Sequence, residues 1–509
     1  MVIEFICIRP GIEWEYGVEE SPGLASKENI SMEMKAHKKA HTKQAHLQGN
    51  LIIVGFGSIG QAMLRLLFQN IEVRPDRIRI ISGDENGEDI AREFGVAFTP
   101  HMLTEENYLA VLEPCLSKGD FLLNLSVDVS SLALMELCWR RGSLYLDTCI
   151  EPWSGGYTDK SISVSLRSNY ALREKALAFA REKPGGPTAL LAHGANPGLA
   201  STFVKQALLN IAADSGLSVK KPTNSGEWAE LASRLEIKAI HVAERDTQNT
   251  ARRKQSNEFV NTWSVDGFVG ESLQPSELGW GSHERHWPAD GARHGFGCDA
   301  AIYLNRPGAA TRVRSWVPFS GSYHGFLITH GESISIADHL TLKENGKVIY
   351  RPTVHYAYHP CDDAVLSVHE LAGRNWRLQS NKRILRDEIV DGVDELGVLL
   401  MGNAKGAYWY GSHLSIQEAR RLAPYNNATS LQVVAGVLAG MVWVLQNPNA
   451  GVVEPDDIDH EVILEIARPY LGELVALFTD WTPLRDRGWL FSEDVDWDDP
   501  WQFKNIRVM

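Results

Sequence analysis

From Asn50 onward, short apolar runs alternate with amphipathic ones in a regular rhythm. Leu51–Val54 predicts a strand, and Ser58–Gln69 places Ile59, Met63, Leu66 and Leu67 on one helical face. The β-branched run Arg77–Ser82 predicts a second strand, Glu88–Phe94 a helix and Val96–Thr99 a short strand. Thr104 can cap a helix running to Leu116, Phe121–Ser126 reads as a buried strand, and Ser130–Arg141 as a helix stopped by Gly142. The strand Leu144–Thr148, a helix from about Leu166 to Lys183 and the strand Thr188–Ala192 complete the series. Strands and helices at this spacing build βαβ units around a parallel sheet, which assigns residues 50–195 to one nucleotide-binding-sized domain.

Beyond residue 195 the period changes. Glu236–Glu244, Ala300–Leu304 and Thr311–Val317 alternate apolar and polar positions, as half-buried antiparallel strands do. Gly325–His330 and Ser333–Ile336 are read as further strands, and Leu340–Val348 as a hairpin turning at Asn345-Gly346. Ala428–Val444 predicts a buried apolar helix suited equally to a core or an interface, and Asp457–Phe478 predicts further helices. The fold class expected is α/β, with an α+β domain and a largely antiparallel sheet over residues 196–509. Residues 1–49 are set apart as an extension, expected to be disordered, ending in a Lys- and His-rich tract.

Charge and composition narrow the function by exclusion. The chain of 509 residues carries a net charge of −14, the wrong sign for a nucleic-acid backbone partner. Six scattered cysteines without CxxC spacing speak against a zinc ribbon or a disulfide scaffold, and no run approaches 18 apolar residues. Together with an N-terminus that lacks a signal-peptide pattern, these features lead to the expectation of a cytoplasmic protein with no membrane partner. Trp is the unusual count at 15.

The first strand runs into Gly55-Phe56-Gly57-Ser58-Ile59-Gly60, a G-x-G-x-x-G opening a helix. Gly55 suits the tight turn, Gly57 lets the backbone approach a pyrophosphate, and Gly60 permits close packing of helix on strand. The helix N-terminus at Ser58 and Ile59 supplies free N–H groups for phosphate. Asp84, 24 residues past Gly60, is placed to accept from an adenosine ribose and to repel a 2′-phosphate, so this Rossmann-type domain is expected to take NAD rather than NADP. Asp84 also fits a plain turn residue before Glu85-Asn86-Gly87. Ligands of open α/β sheets lie beyond the strands' carboxyl ends. There the chain carries Asn124–Asp128, Asp147–Trp153 and His193–Gly198, polar residues that suggest one cleft. Asp128 can alternatively cap the next helix, Asn196 before Pro197 makes a good N-cap, and Glu151 before Pro152 suits a turn.

Taken together, the glycine motif, Asp-Thr-x-x-Glu-Pro-Trp at 147–153, His-Gly-Ala-Asn-Pro-Gly at 193–198 and Asn-Thr-Trp-Ser-Val-Asp-Gly at 261–267 resemble the bacterial homospermidine synthases, relatives of the saccharopine dehydrogenases. The resemblance runs from residue 50 to the C-terminus. It implies an NAD-dependent transferase that joins two putrescines, or spermidine and putrescine, with release of ammonia or 1,3-diaminopropane. It implies a homodimer formed through the second domain. By the same resemblance Glu244 is the proton shuttle or ammonium partner, Trp263 holds an iminium or ammonium on its indole face, and Asn196 orients the amine. Glu271 then holds a distal ammonium, Glu151 adds negative charge along the amine path, and His330 is a substrate-side histidine. Asp128 and Thr148 fall to the cofactor side. Without the resemblance, Glu244 reads equally well as a strand-end carboxylate paired with Arg245, and Trp263 as core packing.

Other constellations are weaker. His283-Glu284-Arg285-His286 lacks H-E-x-x-H spacing, His355 and His359 stand in a strand-like run, and Cys149 has no paired histidine, so no metal site and no cysteine nucleophile are expected. The rival functions are a saccharopine- or carboxynorspermidine-type NAD(P)-dependent dehydrogenase, which would need arginines for a substrate carboxylate, and a non-catalytic NAD-binding scaffold.

Overall fold

The computed structural model describes residues 43–508. Most of the N-terminal extension, Cys7 included, lies outside the described residues. Residues 43–49 are ordered: Ala45–His46 pairs in parallel with Ile71–Glu72, and Leu47 is buried against the first domain. The disorder expected through residue 49 therefore does not hold for this stretch, because pairing and apolar burial hold it down.

A seven-stranded, all-parallel sheet forms the first layer system. Its order is Val452–Val453, Ala189–Leu190, Leu144–Asp147, Phe121–Asn124, Leu51–Val54, Ile78–Ser82 and Ala97–Pro100. The chain runs outward from Leu51–Val54 in one direction and returns to Phe121–Asn124 on the other side. This creates the topological switch point at which such sheets bind nucleotides. Val452–Val453 comes from far beyond residue 195 and adds to the open edge at Ala189–Leu190.

The second sheet has eleven strands. Its spine sets Thr353–His359, Ala239–Asp246, Val393–Asn403, Gly406–Ser415 and Glu473–Thr479 side by side. Within that spine only the Thr353–His359 and Ala239–Asp246 pair is parallel. The hairpin expected at Asn345-Gly346 is present, with both residues at positive φ.

Three sequence-based expectations change here. Ser333–Ile336 lies in the helix Gly331–His339, not in a strand. Every residue of Ser333–Ile336 is buried, so its alternation of small polar and apolar residues reports no exposed face. Glu473–Thr479 is a strand rather than the end of a helix, since it completes the sheet beside Gly406–Ser415. The helix expected from Thr104 to Leu116 is reduced to Tyr108–Leu112 followed by a 3-10 turn that includes Pro114.

The helix Ala428–Gln446 is long and apolar enough to span a membrane but is buried in the body of the protein. Asn427 caps it in a reciprocal box with Ser430. Its small residues matter most: a Cβ on Gly436 would stand 2.0 Å from the Gly194 carbonyl oxygen, and one on Gly440 2.9 Å from His193 Nδ1. The helix thus docks directly on the His193–Gly198 loop, and His193 Nδ1 lies 3.0 Å from the Gly436 carbonyl.

Candidate active site

Two neighbouring spaces lie at the switch point. The outer one is a cleft of about 790 Å³ between the domains, within the range of cofactor sites. Gly55 has φ +85° and no room for a Cβ, which would stand 2.7 Å from the Leu125–Ser126 backbone. A Cβ on Gly60 would meet the Phe56 ring at 2.9 Å, while the space before Gly57 is open. Gly57 caps the helix Ser58–Asn70 without any side-chain cap, leaving the first-turn N–H groups facing the cleft. These features fit a dinucleotide pyrophosphate. Asp84 lines the same cleft two residues past the strand Ile78–Ser82, and it is also a turn residue, with Oδ1 accepting the Asn86 N–H at 2.9 Å. Lys382 and Arg386 line the same cleft from the second domain. Ser58 keeps its backbone in the helix N-terminus, while its hydroxyl donates to the Trp263 carbonyl at 2.9 Å and ties the two domains together.

Past Ile59 lies an inner cavity of about 90 Å³, bordered by Thr148, Asn196, Glu244, Trp263, Glu271, His330 and Tyr356. A smaller space of about 20 Å³ adjoins it, shares Cys149, Pro197, Glu271 and His330, and adds Glu151, Asn169 and Gln274. Among the described residues, no lysine or arginine lines either cavity.

Each wall has a local cause. Asp147 ends its strand buried, accepting the Ala192 N–H at 2.6 Å and the Tyr145 hydroxyl at 2.8 Å, so it clamps two neighbouring strands together. Beyond it Ser131 Oγ accepts the Glu151 N–H at 3.0 Å and fixes the backbone from which the buried Glu151 side chain projects. The Cys149 thiol donates to Glu151 Oε1 at 3.2 Å, whereas Oε2 has no partner among the described residues. Burial, reinforced by Glu271 and Asp128, raises the Glu151 carboxyl to about 8.

Glu244 is buried in the spine of the second sheet and does not pair with Arg245, which reaches Asp362 instead. Glu244 Oε2 accepts from Asn196 Nδ2 at 2.7 Å and from the Tyr356 hydroxyl. Burial raises its carboxyl to about 7 against these two donors. Asn196 does not cap a helix: the helix begins at Leu199 with Gly198 as its cap, which frees the amide for Glu244. Trp263 leads into the helix Val265–Leu273, its Nε1 donating to the Tyr358 hydroxyl at 3.1 Å. Glu271 stands near the end of that helix. His330 Nε2 lies 3.4 Å from Glu271 Oε2, and its ring packs on Tyr356 at 4.4 Å. Burial alone would lower the imidazole, but Glu271 and Glu332 outweigh it and bring it to about 10.

All six residues assigned to chemistry or substrate thus border these two adjoining spaces. Thr148, assigned to the cofactor side, borders the inner cavity instead. Asp128 lines neither cavity nor cleft; it is exposed at φ +64°, near Asp266 and Lys382 at the cleft's outer edge, and the next helix is capped by Ser130. Sequence reasoning missed Tyr356, Thr429 and a buried acid pair. Asp246 and Asp394 face each other across two strands, and the Thr429 hydroxyl donates to Asp394 Oδ2 at 2.6 Å. The alternation Tyr356-Ala357-Tyr358, which stacks both rings at 5.1 Å on one side of the strand, was the available signal. Glu284 of the His283–His286 segment is structural, accepting from Thr353 Oγ1 at 2.6 Å and from the Phe503 N–H at 3.0 Å.

A dinucleotide cleft at a parallel sheet's switch point, opening onto an acidic, aromatic-walled cavity closed by a mixed sheet, defines a two-domain protein of the dehydrogenase type. The family model described as saccharopine dehydrogenase NADP binding domain matches residues 51–190, and that of the saccharopine dehydrogenase C-terminal domain matches 194–478. Homospermidine synthase of Blastochloris viridis is 54% identical over 91% of this chain and 98% of its own length. That of Mesorhizobium japonicum is 50% identical over 91% and 97%. The crystal structure of a homospermidine synthase from Legionella pneumophila in complex with NAD superposes with a TM-score of 0.86 at 51% identity, covering 91% of this chain and 98% of that one. The chain belongs to the homospermidine synthase family, within the saccharopine dehydrogenase group.

Proposed function

We propose that this protein joins two diamines, putrescine with putrescine or spermidine with putrescine, into homospermidine, using NAD. The observation that carries the reading is the carboxyl lining of the inner cavity and the space adjoining it: Glu244 and Glu271 border the first, Glu151 and Glu271 the second, and among the described residues no lysine or arginine lines either. Such a wall favours a dication, and its imidazolium, His330, already faces Glu271 at 3.4 Å, which disfavours the saccharopine-type reaction with its free substrate carboxylate.

The cofactor, when bound, takes a hydride from the amine-bearing carbon and later returns it. Asp84 in the cleft favours NAD over a 2′-phosphorylated dinucleotide. An ammonium must lose a proton before its carbon can give up a hydride, and Glu244, poised near 7, takes that proton while Asn196 fixes its orientation. The indole face of Trp263 stabilises the cationic carbon–nitrogen double bond that the second amine attacks. Glu271, faced by His330 at 3.4 Å, holds the far ammonium of the chain, and Glu151, near 8, accepts or returns a proton along the path. The Ser58 hydroxyl joins the two domains at the Trp263 carbonyl, beside the inner cavity that Trp263 borders.

The five cysteines among the described residues are free, in keeping with a reducing cytoplasm. A homodimer would cover Trp489, Leu490, Phe491 and Trp497, a run of exposed apolar side chains near the C-terminus. Light scattering on the purified protein tests that state.

The reaction is tested by incubating the enzyme with putrescine and NAD. Ammonia and homospermidine should form without net NADH. Stoichiometric NADH accumulation would overturn the reading.

A further inference from the structure

Glu332 lies two residues beyond His330, in the first turn of the helix Gly331–His339, with its side chain only 1% exposed. Its Oε2 accepts the Gly198 backbone N–H at 3.1 Å. Its Oε1 has no hydrogen-bond partner among the described residues and stands 3.8 Å from His330 Nδ1, which is also unpartnered there. On the far side of the ring, Nε2 faces Glu271 at 3.4 Å. The imidazole is thus set between two carboxylates, one in the cavity wall and one behind it. The other charged or titratable groups facing this corner are Glu244, Glu151, Cys149 and Tyr356 on the cavity side, then Asp456 and Lys205 behind Glu332. Lys205 is occupied by the Asp456 and Ile458 carbonyls and so does not neutralise Glu332.

A buried carboxylate is costly unless it meets a cation, and His330 is the group within reach. Gly198 matters for a second reason. It closes the loop whose Asn196 bonds Glu244, so one carboxylate touches both the histidine and the asparagine arms of the site. We propose that Glu332 is a positioning residue of the amine site: from behind the cavity it holds the His330 ring in place as an imidazolium, and its other oxygen holds the Asn196 loop in register. The inference rests on the diamine reading for its catalytic consequence, but the state of His330 can be read without turnover.

The test uses the full-length, NAD-loaded enzyme with 15N-labelled histidine, the His330 signals being assigned by their loss in His330→Gln. Both ring nitrogens of His330 should be protonated at pH 8. Glu332→Gln retains an acceptor for the Gly198 N–H but removes the charge. It should lower the His330 titration by about one pH unit or more and move the alkaline limb of kcat/KM with it, leaving NAD affinity unchanged. Glu332→Asp keeps the charge and should keep the titration at its wild-type position even where kcat falls. A neutral His330 in the wild type at pH 8, or a Glu332→Gln enzyme with unmoved titration and pH profile, would overturn the proposal. An enzyme inactive on diamines whose His330 titrates as stated would overturn the reaction and support the positioning role.

Discussion

Asn196 and Glu244 approach from the loop after the parallel sheet and from the spine of the second sheet, and they meet at 2.7 Å, the amide donating to the carboxylate. That contact places a base raised to about 7 at the inner end of the dinucleotide cleft. A base works only when deprotonated, so turnover should fall as pH drops below about 7. Glu244→Gln should lose that acidic limb along with roughly 10²-fold or more of kcat. Its NAD affinity, measured by fluorescence titration, should stay unchanged.

The buried carboxyls also set the stability of the ligand-free protein. Glu151, Glu244 and Asp147 are raised to about 8, 7 and 6. A group raised on folding stabilises fully below its unfolded pKa. That contribution is lost as pH rises through the folded pKa, at about 1.4 kcal/mol for each pH unit separating the two. Thermal scans of the ligand-free protein should therefore show Tm falling from pH 5 to pH 8. Glu151→Gln should flatten the slope, and putrescine should raise Tm most at the alkaline end.

Trp263 separates shape from charge recognition. Trp263→Leu should cost about 10- to 30-fold in kcat/KM, the worth of a desolvated cation–π contact of roughly 2 kcal/mol. Trp263→Phe should retain part of that while losing the Nε1 hydrogen bond to Tyr358. Equal losses in the two variants would remove the cation–π role.

Asp84 is expected to choose the dinucleotide. Asp84→Ala should weaken NAD binding by about tenfold, the scale of one charged hydrogen bond, and narrow the preference over NADP. Paired Kd measurements for the two dinucleotides check this.

Away from the site, Arg173 donates twice to Glu454 at 2.7 Å and once to Asp338 at 3.1 Å, almost fully buried. Arg173→Met leaves Glu454 without its partner and should destabilise by about 3–5 kcal/mol in urea unfolding.

Much of the site was readable where chemistry is local. Gly55 to Gly60, the Asp147–Trp153 run and His193–Gly198 each sit at a strand end, and strand ends are where such sheets bind. Thr429, Tyr356 and Glu332 were not readable in this way. Each enters the site from a segment more than 100 residues from the glycine motif; the Tyr356-Ala357-Tyr358 alternation is a local sign for Tyr356, while nothing in the neighbourhood of Thr429 or Glu332 distinguishes it from a packing residue. Asp128 went the other way, a polar strand-end residue that a positive φ turns out to solvent.

The βαβ rhythm, the helix N-terminus left open for phosphate, and the segments that carry the acidic and aromatic residues are all written in the chain, because periodicity and turn chemistry act over a few residues. Folding settles which carboxylates share a cavity, that Asn196 serves Glu244 rather than a helix cap, and which groups hold protons near neutrality. Those outcomes depend on register between distant strands and on what packs over a charge, and desolvation is a property of the assembled fold.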